Sequence, residues 1–242
     1  FIVCNMILNQ KTAIVTGASK GLGKAISAGL IAKRAIVYGI GRNLEALEEL
    51  KQELGGEFYP VQLDISREKD VKEWVDSTFS QTTKPDILIN NAGIGSFHKL
   101  EETDSDTWRG MLDVNLNGMF YMTSAVAALM KSKPESSHII NIGSILGKVG
   151  RTDSSAYCTT KFGVQGFTQA LIQELRFYNI KVTCFNPGSI ETDFLVSSGV
   201  QPHANMLQPE DLAQTIIQIL ETPDNMQIDE LVVRPLNPKA PE

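Results

Sequence analysis

Short apolar runs alternate with longer amphipathic segments along almost the whole chain. The first run, KTAIVT (11–16), is rich in β-branched residues and ends at a glycine-rich loop, which predicts a buried strand. The next segment, about residues 20–33, carries apolar residues at helical spacing and predicts an amphipathic helix. Further strands are predicted at the runs AIVYGI, FYPVQL, DILIN, HIINIG, IKVTCF and ELVVRP.

A predicted helix separates each of these strands from the next. The later helices are expected over residues 43–56, 66–79, 104–131, 154–178 and 209–220. The strands are apolar throughout and do not alternate with polar residues, as in parallel sheets that are buried on both faces. The chain is therefore predicted to have an α/β fold, namely a doubly wound (Rossmann-type) seven-stranded parallel sheet with helices on both faces.

The chain has a length that suits one domain. It has 242 residues, and no internal repeat, low-complexity segment or linker divides it. We expect an N-terminal extension at residues 1–10, a single domain at residues 11–234 and a C-terminal tail at residues 235–242. The opening apolar stretch lacks a basic region and a small-residue cleavage site, so we do not interpret it as a signal peptide.

Charge and composition exclude several classes of function. A formal net charge of -6 argues against a nucleic-acid-binding surface, which is normally basic. No apolar run approaches the roughly 20 residues that span a membrane. The three cysteines are scattered without a CxxC pair and the three histidines lie far apart, so no metal site is predicted. This cysteine usage is typical of a reducing compartment, and we expect a cytoplasmic protein.

The stretch TGASKGLGKA follows the first strand and resembles two known glycine motifs. The P-loop pattern fails because Ala18 stands where it needs glycine and Ala25 where it needs a hydroxyl group. The pattern GxGxxG fails because its third glycine is missing. The spacing that holds is TGxxxGxG, with Gly17, Gly21 and Gly23.

The position of this loop predicts a phosphate-binding site. It lies between the first strand and the first helix, where doubly wound sheets bind phosphates on backbone N–H groups at the positive helix end. Gly17 and Gly21 would permit a tight turn and close approach of a pyrophosphate, and Gly23 would let the helix pack near the sheet. The alternative is a glycine-rich turn without a ligand, since such patterns are weak by themselves.

The end of the second strand bears on which dinucleotide would bind. NAD sites usually place an Asp or Glu there to contact the ribose 2′-hydroxyl. The chain instead has Gly41 and Arg42, with no carboxylate before Glu45. Arg42, together with Lys20 in the loop, would suit a 2′-phosphate, which predicts NADP(H) over NAD(H). The alternative is that both are solvated surface cations.

Three side chains are candidates for acid–base chemistry. Tyr157 and Lys161 are spaced i, i+4 and so share one face of a predicted helix. A phenol titrates near pH 10, and a nearby ammonium makes it a better proton donor and acceptor at neutral pH. Ser144 ends the strand HIINIG, where its hydroxyl could donate to a substrate carbonyl. Taken singly, the Tyr–Lys pair could arise by chance and Ser144 could be a capping residue.

Seven motifs in order resemble the short-chain dehydrogenases/reductases, in particular the single-domain subfamily of 3-oxoacyl-carrier-protein reductases and carbonyl reductases. They extend from residue 12 to about residue 233, and together they are highly specific. The matching pieces are TGASKGLG, LD at residues 63–64, NNAG at 90–93, VNLNG at 114–118, Ser144, YCTTK at 157–161 and NPGSIETD from residue 186.

The resemblance implies a catalytic tetrad of Asn115, Ser144, Tyr157 and Lys161, in which Asn115 holds a water beside the lysine. It also implies that residue 64 contacts adenine, that residues 91–93 line the adenosine ribose and that the segment from residue 187 closes on the nicotinamide. The predicted cofactor contacts are Gly17, Ser19, Lys20, Gly21, Leu22, Gly23, Arg42, Asp64, Ile65, Asn91, Ala92, Gly93, Tyr157, Lys161, Pro187, Gly188, Ile190 and Thr192.

The expected activity is NADP(H)-dependent reduction of a carbonyl, such as a 3-oxoacyl thioester or a small ketone or aldehyde. The alternatives are an alcohol, sugar or hydroxy acid dehydrogenase that uses the same site, and a catalytically silent nucleotide-sensing protein. The resemblance also implies a homo-oligomer, a tetramer or dimer, joined along the helices at residues 104–131 and 154–178. Gly143 and Cys158 depart from the family pattern, where serines are frequent. The candidate substrate contacts are Ile94, Phe97, Leu146, Val149 and Phe194.

Overall fold

The structure is a computed structural model that describes residues 5–80, 82–192, 194 and 205–236. Its centre is one seven-stranded sheet in which every strand pair is parallel, as predicted. The strands are β1 (Thr12–Thr16), β2 (Ile36–Gly41), β3 (Phe58–Gln62), β4 (Ile87–Asn90), β5 (Ser137–Ile142), β6 (Ile180–Pro187) and β7 (Glu230–Val233).

The order of the strands creates a crevice at one edge of the sheet. The strands lie in the order β3-β2-β1-β4-β5-β6-β7, so that β1 pairs with β2 on one side and with β4 on the other. The chain winds outward in opposite directions from this point. Loops that follow β1 and β4 therefore diverge, and the carboxyl ends of these strands form the place where ligands bind such sheets.

Helices cover both faces of the sheet. They are α1 (Gly21–Ala32), α2 (Leu44–Leu54), α3 (Glu68–Thr78), α4 (Ser105–Leu112), α5 (Met119–Met130), α6 (Ser155–Leu175) and α7 (Pro209–Leu220). Apolar residues of α1, α2 and α7 form one core cluster with the sheet, and those of α3, α5 and α6 form a second. This division produces the three layers of a doubly wound fold and leaves the strand ends open to a ligand.

The segment predicted as one helix over residues 104–131 is divided by a π-helical turn. The hydrogen-bonding pattern widens at Asp113–Gly118, and the path then continues directly into α5. A Cβ atom at Gly118 would lie 2.7 Å from the Ile65 side chain, so this glycine permits close packing on the loop after β3. Such π turns inside helices are frequent at functional sites, and this one contains Asn115.

The first residues differ from the expected N-terminal extension. Met6 and Leu8 are buried in the core cluster beside α1, and Asn5 forms a bridge with Pro223. Apolar burial of this kind contributes to folding, so the described residues before position 11 pack as part of the domain. Residues 1–4 of the expected extension and residues 237–242 of the expected tail lie outside the described residues.

The described residues contain neither a helix that could span a membrane nor a cluster of metal-ligating side chains. Within residues 5–80, 82–192, 194 and 205–236, no helix is both long and apolar enough to cross a membrane. The same residues contain no group of three or more histidine, cysteine or carboxylate side chains that could hold a metal ion.

Candidate active site

A cleft of about 410 Å³ opens at the carboxyl ends of the strands, next to the crossover between β1 and β4. Every predicted catalytic or cofactor-binding residue except Gly23 and Asn115 lines it. The predicted residues in its wall are Gly17, Ser19, Lys20, Gly21, Leu22, Arg42, Asp64, Ile65, Asn91, Ala92, Gly93, Ser144, Tyr157, Lys161, Pro187, Gly188, Ile190 and Thr192.

The glycine loop is packed too tightly for side chains. Gly17 and Gly21 have φ values of 67° and 54°, which L side chains rarely adopt. A Cβ atom at Gly17 would lie 2.9 Å from Ala92 Cα. A Cβ atom at Gly23 would clash with Gly17 O, so Gly23 lies behind the cleft wall and allows α1 to approach the loop. Asn91 Nδ2 fixes the loop by donating to Thr16 O at 2.9 Å.

The N-terminus of α1 fits an anionic group. Its N-cap residue, Lys20, contributes no capping hydrogen bond from its side chain, and the first turn contains no acidic residue. The first N–H groups of a helix have no partner within the helix, and they carry the positive end of the helix dipole. Because Gly21 and Leu22 line the cleft, this helix end can accept a phosphate from a bound dinucleotide.

Charged side chains gather where the cleft passes the ends of β2 and β3. Burial would raise the pKa of Asp64, but the Ser66 N–H and hydroxyl donate to its Oδ1 at 3.0 and 2.7 Å. These hydrogen bonds lower the pKa of Asp64, and the positive charges of Arg42 and Arg67 lower it further. Together they hold the pKa below its ordinary value. Arg42 is exposed and lines the cleft, where it is available to a phosphate.

Tyr157 and Lys161 lie one helical turn apart near the start of α6. Both line the end of the cleft that holds the predicted catalytic residues, which we call the catalytic end. Lys161 Nζ lies 5.7 Å from the centroid of the Tyr157 ring and donates to Ile142 O at 2.9 Å. That carbonyl is its hydrogen-bond partner among the described residues. An ammonium has three N–H donors, so Lys161, only 6% exposed, can offer two more to a ligand in the cleft.

Burial shifts the pKa values of both groups. It raises the pKa of Tyr157 above its ordinary value of 10.0, while a hydrogen bond with the Ser144 hydroxyl opposes the rise. Burial lowers the pKa of Lys161 from 10.5 to about 8, and the nearby Cys184 thiol opposes this fall. Perturbed titratable groups that share a cleft are typical of catalytic sites. Ser144, Tyr157 and Lys161 thus line the same end of the cleft.

A polar network holds the turn that carries Ser144. Asn186, at the end of β6, accepts a hydrogen bond from Ser144 N at 3.0 Å and another from the buried Gln165. Its amide donates to Glu230 Oε1 at 2.8 Å, and Glu230 Oε2 pairs with Lys148 Nζ at 2.6 Å. Because Lys148 follows the same turn, the network fixes the backbone on both sides of the serine hydroxyl.

Asn115 lies behind the cleft wall and joins two elements. Its amide donates to Ile94 O at 2.9 Å and to Thr160 Oγ1 at 3.1 Å, and its Oδ1 accepts from Ile94 N at 2.8 Å. The side chain is 1% exposed, and these bonds use both of its N–H donors and one acceptor position of Oδ1. It therefore anchors the loop after β4 to α6, directly beneath the catalytic end of the cleft.

Apolar residues surround the Tyr157 ring on the substrate side. The rings of Phe97 and Phe194 lie 5.2 and 5.9 Å from it, measured between centroids. Ile94 and Leu146 complete the predicted apolar wall and pack in the same cluster. Val149 was predicted here wrongly, because it is 49% exposed and does not line the cleft.

Some residues of the site had no specific signal in the sequence. Gln165, Glu230 and Lys148 act through side-chain contacts between elements distant in sequence, which no local pattern reveals. Arg151 lines the cleft from a loop without a motif. The departure at Gly143 has a structural reason, since a Cβ atom there would clash with Asn186 Oδ1.

Comparison with known proteins agrees with this geometry. A family model described as short chain dehydrogenase matches residues 11–202. The farnesol dehydrogenase of Aedes aegypti is 34% identical over 241 residues, which cover 95% of this chain and 97% of that relative.

Two solved structures are also similar. One is the closed form of a serine dehydrogenase complexed with NADP+, with 31% identity, a TM-score of 0.84 and coverage of 91% of this chain and 93% of the other. The second is a 3-ketoacyl-(acyl-carrier-protein) reductase from Brucella melitensis complexed with NADH, with 29% identity, a TM-score of 0.87 and coverage of 95% and 98%. On its sequence, its fold and the arrangement of its cleft, the chain belongs to the short chain dehydrogenase family.

Proposed function

We propose that the protein is an NADP(H)-dependent reductase that converts a ketone or aldehyde into the corresponding alcohol. The observation that carries the proposal is the convergence of Ser144, Tyr157 and Lys161 beside one cleft, which the glycine loop closes at its other end. The exposed Arg42 at the end of β2 supports the choice of NADP(H) over NAD(H). The related structures carry NADP+ in one case and NADH in another, so a nicotinamide dinucleotide is common to both.

The proposed roles follow from where each side chain lies. When bound, the reduced nicotinamide supplies the hydride that adds to the substrate carbonyl carbon. Tyr157 donates its phenolic proton to the carbonyl oxygen, and the Ser144 hydroxyl donates a hydrogen bond that orients the same oxygen. Lys161 binds the cofactor ribose through its available N–H donors and stabilises the phenolate that remains.

Reprotonation of Tyr157 requires a path for a proton from solvent. Asn115 is proposed to hold a water beside Lys161, and its amide already bonds Ile94 and Thr160. The amide donors are therefore unavailable to this water, and we propose that it binds the main-chain carbonyl oxygen of Asn115. In this arrangement the side chain fixes the position of the backbone, and the backbone fixes the position of the water.

The substrate is proposed to be a small ketone or aldehyde, or a 3-oxoacyl thioester as in the related acyl-carrier-protein reductase. A second candidate is the oxidation of a hydroxy acid or another alcohol at the same site, which the similarity to a serine dehydrogenase favours. Self-association is proposed along α5 and α6, where Phe120 and Phe162 are 51% and 47% exposed.

The decisive experiment is Tyr157→Phe, assayed by NADPH oxidation with a panel of ketones, aldehydes and acyl thioesters and by NAD(P)+ reduction with alcohols. Loss of the acid should lower kcat by at least about 100-fold while the NADPH affinity, measured by fluorescence, stays unchanged. Tyr178→Phe is the matched control, because Tyr178 is exposed and packs on Lys131, and it should retain full activity. Wild-type turnover in Tyr157→Phe would refute the assigned role. Tight NADPH binding by the wild type without turnover of any compound would favour a nucleotide-sensing protein.

A further inference from the structure

The charged groups of the cleft are divided between its two ends. Lys20, Arg42 and Asp64 lie at the end bounded by the glycine loop and by the ends of β2 and β3. Arg151 and Lys161 lie at the catalytic end, and no carboxylate of the described residues lines that end. Lys161 already serves the catalytic group, which leaves Arg151 as a charge that the proposed reaction does not use.

Arg151 is held at the mouth of the substrate side. Its guanidinium carbon lies 5.6 Å from the centroid of the Phe97 ring, and that ring packs against Tyr157. One aromatic side chain therefore separates the cation from the catalytic phenol. The guanidinium itself stacks on the Phe97 ring, while the residue as a whole remains exposed to water.

No acidic side chain among the described residues neutralises Arg151. Glu230 pairs with Lys148, and neither the exposed Asp153 in the same loop nor any other acid of the described residues forms an ion pair with Arg151. An exposed arginine usually forms weak ion pairs or none, so exposure alone would mean little. Its place in the cleft wall is the informative feature, because it puts the cation in the same cleft as Tyr157.

The wall beneath Arg151 is apolar. Ile94, Leu146 and Phe194 line the cleft and pack with the buried Met111 around the Tyr157 ring, so they offer hydrocarbon surface to a ligand. A cleft with an apolar wall and one cation at its mouth is complementary to a ligand with an apolar body and an anionic end. Guanidinium binds carboxylate and phosphate oxygens through two parallel hydrogen bonds, which makes arginine well suited to this task.

We propose that Arg151 binds the anionic group of the substrate, so that the enzyme prefers carbonyl compounds with a carboxylate or phosphate separated from the carbonyl by an apolar segment. This inference rests on the proposed function and narrows its substrate class. The reaction itself is unchanged: hydride adds to the carbonyl carbon, Tyr157 supplies the proton, and the anionic group takes no part in bond making.

The experiment compares matched substrates and matched variants. The substrates are a homologous series of methyl-ketone carboxylates, their neutral methyl esters and a ketone phosphate. The variants are Arg151→Met, which keeps a long unbranched side chain next to Phe97 but removes the charge, and Arg151→Lys, which keeps the charge. Binding of each compound to the protein–NADPH complex is measured by nucleotide fluorescence, in parallel with kcat/KM.

We expect Arg151→Met to lower kcat/KM by about 10-fold or more for the acids, which is the usual effect of losing one charge-assisted hydrogen bond, and by less than about 2-fold for the esters. Arg151→Lys should recover part of the loss, and the NADPH affinity should not change in either variant. A larger effect on the phosphate than on the carboxylates would identify a phosphate as the natural group.

The two proposals fail in different ways. An equal loss for acids and esters in Arg151→Met, or a wild type that binds the acids no better than the esters, would overturn the inference while the reductase activity stands. Acids that bind the wild type in an Arg151-dependent manner, with no turnover of any carbonyl or alcohol, would support the anion site and contradict the proposed function. Absence of both binding and turnover of every acid would overturn the anion site.

Discussion

Gly23→Ala tests whether the glycine loop is built for close backbone contact. The new Cβ atom would clash with Gly17 O and would lie 2.6 Å from Asn91 Nδ2, closer than side-chain carbons normally approach any atom. The obstacle is a backbone carbonyl, which cannot rotate away as a long side chain would. The loop after β1 therefore has to move as a unit if the methyl group is to be accommodated.

The size of the effect follows from what this movement disturbs. Overpacking of a tightly packed site costs about 1–3 kcal/mol. Asn91 Nδ2 donates to Thr16 O and Gly17 O at 2.9 and 3.2 Å, and each of these bonds contributes about 1 kcal/mol. The free energy of unfolding should fall by about 3 kcal/mol or more, a large part of the ~5–15 kcal/mol of a typical domain. The affinity for NADPH should fall at least about 10-fold because the backbone N–H groups lose their alignment.

Urea denaturation and NADPH fluorescence titration provide the two measurements. Gly150→Ala is the matched control, since no atom of the described residues lies within 4 Å of its Cβ position and its backbone is not left-handed. It should leave NADPH affinity unchanged and stability within about 1 kcal/mol of the wild type. If Gly23→Ala unfolds at the same urea concentration as Gly150→Ala and binds NADPH equally well, the close approach of α1 to the loop is not a requirement of the fold or of the site.

Two further predictions concern cofactor choice and stability. Arg42→Ala should raise the KM for NADPH about 10-fold and leave the KM for NADH within about 2-fold, because the 2′-phosphate loses a charge-assisted hydrogen bond; an equal change for both nucleotides would contradict the NADP(H) assignment. His138 is fully buried, and burial lowers its pKa from 6.5 to about 3, so the unfolded chain binds a proton that the folded chain does not. The contribution of His138 to stability is therefore complete above pH 6.5 and decreases by up to about 1.4 kcal/mol per pH unit as the pH falls towards 3. His138→Gln, which retains a donor for Thr183 Oγ1, should show a shallower loss of stability below about pH 6 in urea unfolding; parallel pH curves would show that His138 does not titrate in this way.

The sequence predicted the elements whose pattern is local. Runs such as KTAIVT and HIINIG are mainly apolar because the strands they form, β1 and β5, are buried on both faces, and each strand is fully buried in the structure. Tyr157 and Lys161 were predictable as neighbours because helical spacing alone puts them on one face of α6. The glycine loop was predictable because left-handed backbone at Gly17 and Gly21 restricts the choice of residue.

The remaining features depend on contacts between distant parts of the chain. No local sequence pattern marks the π turn around Asn115. It lies where Gly118 packs on Ile65 and where the Asn115 amide donates to Ile94 O. Met6 and Leu8 were assigned to an extension because no strand or helix pattern includes them, yet both are buried against the core. Arg151 is informative through its place beside Phe97 and not through any motif.

The protonation states of the site bear on the direction of the reaction. At neutral pH the phenol of Tyr157 carries its proton, since burial raises its pKa, and Lys161, with a pKa of about 8, is mainly a cation. A protonated phenol beside an ammonium is the state that reduction of a carbonyl requires, because the phenol must deliver a proton and the cation must stabilise the phenolate. Oxidation of an alcohol requires the deprotonated phenol, which acts as a base and becomes more populated as the pH rises. Near neutral pH the buried pair is therefore in the state that the proposed reduction requires, whereas the phenolate needed for the proposed oxidation forms only at a pH at which Lys161, with a pKa of about 8, has lost its charge.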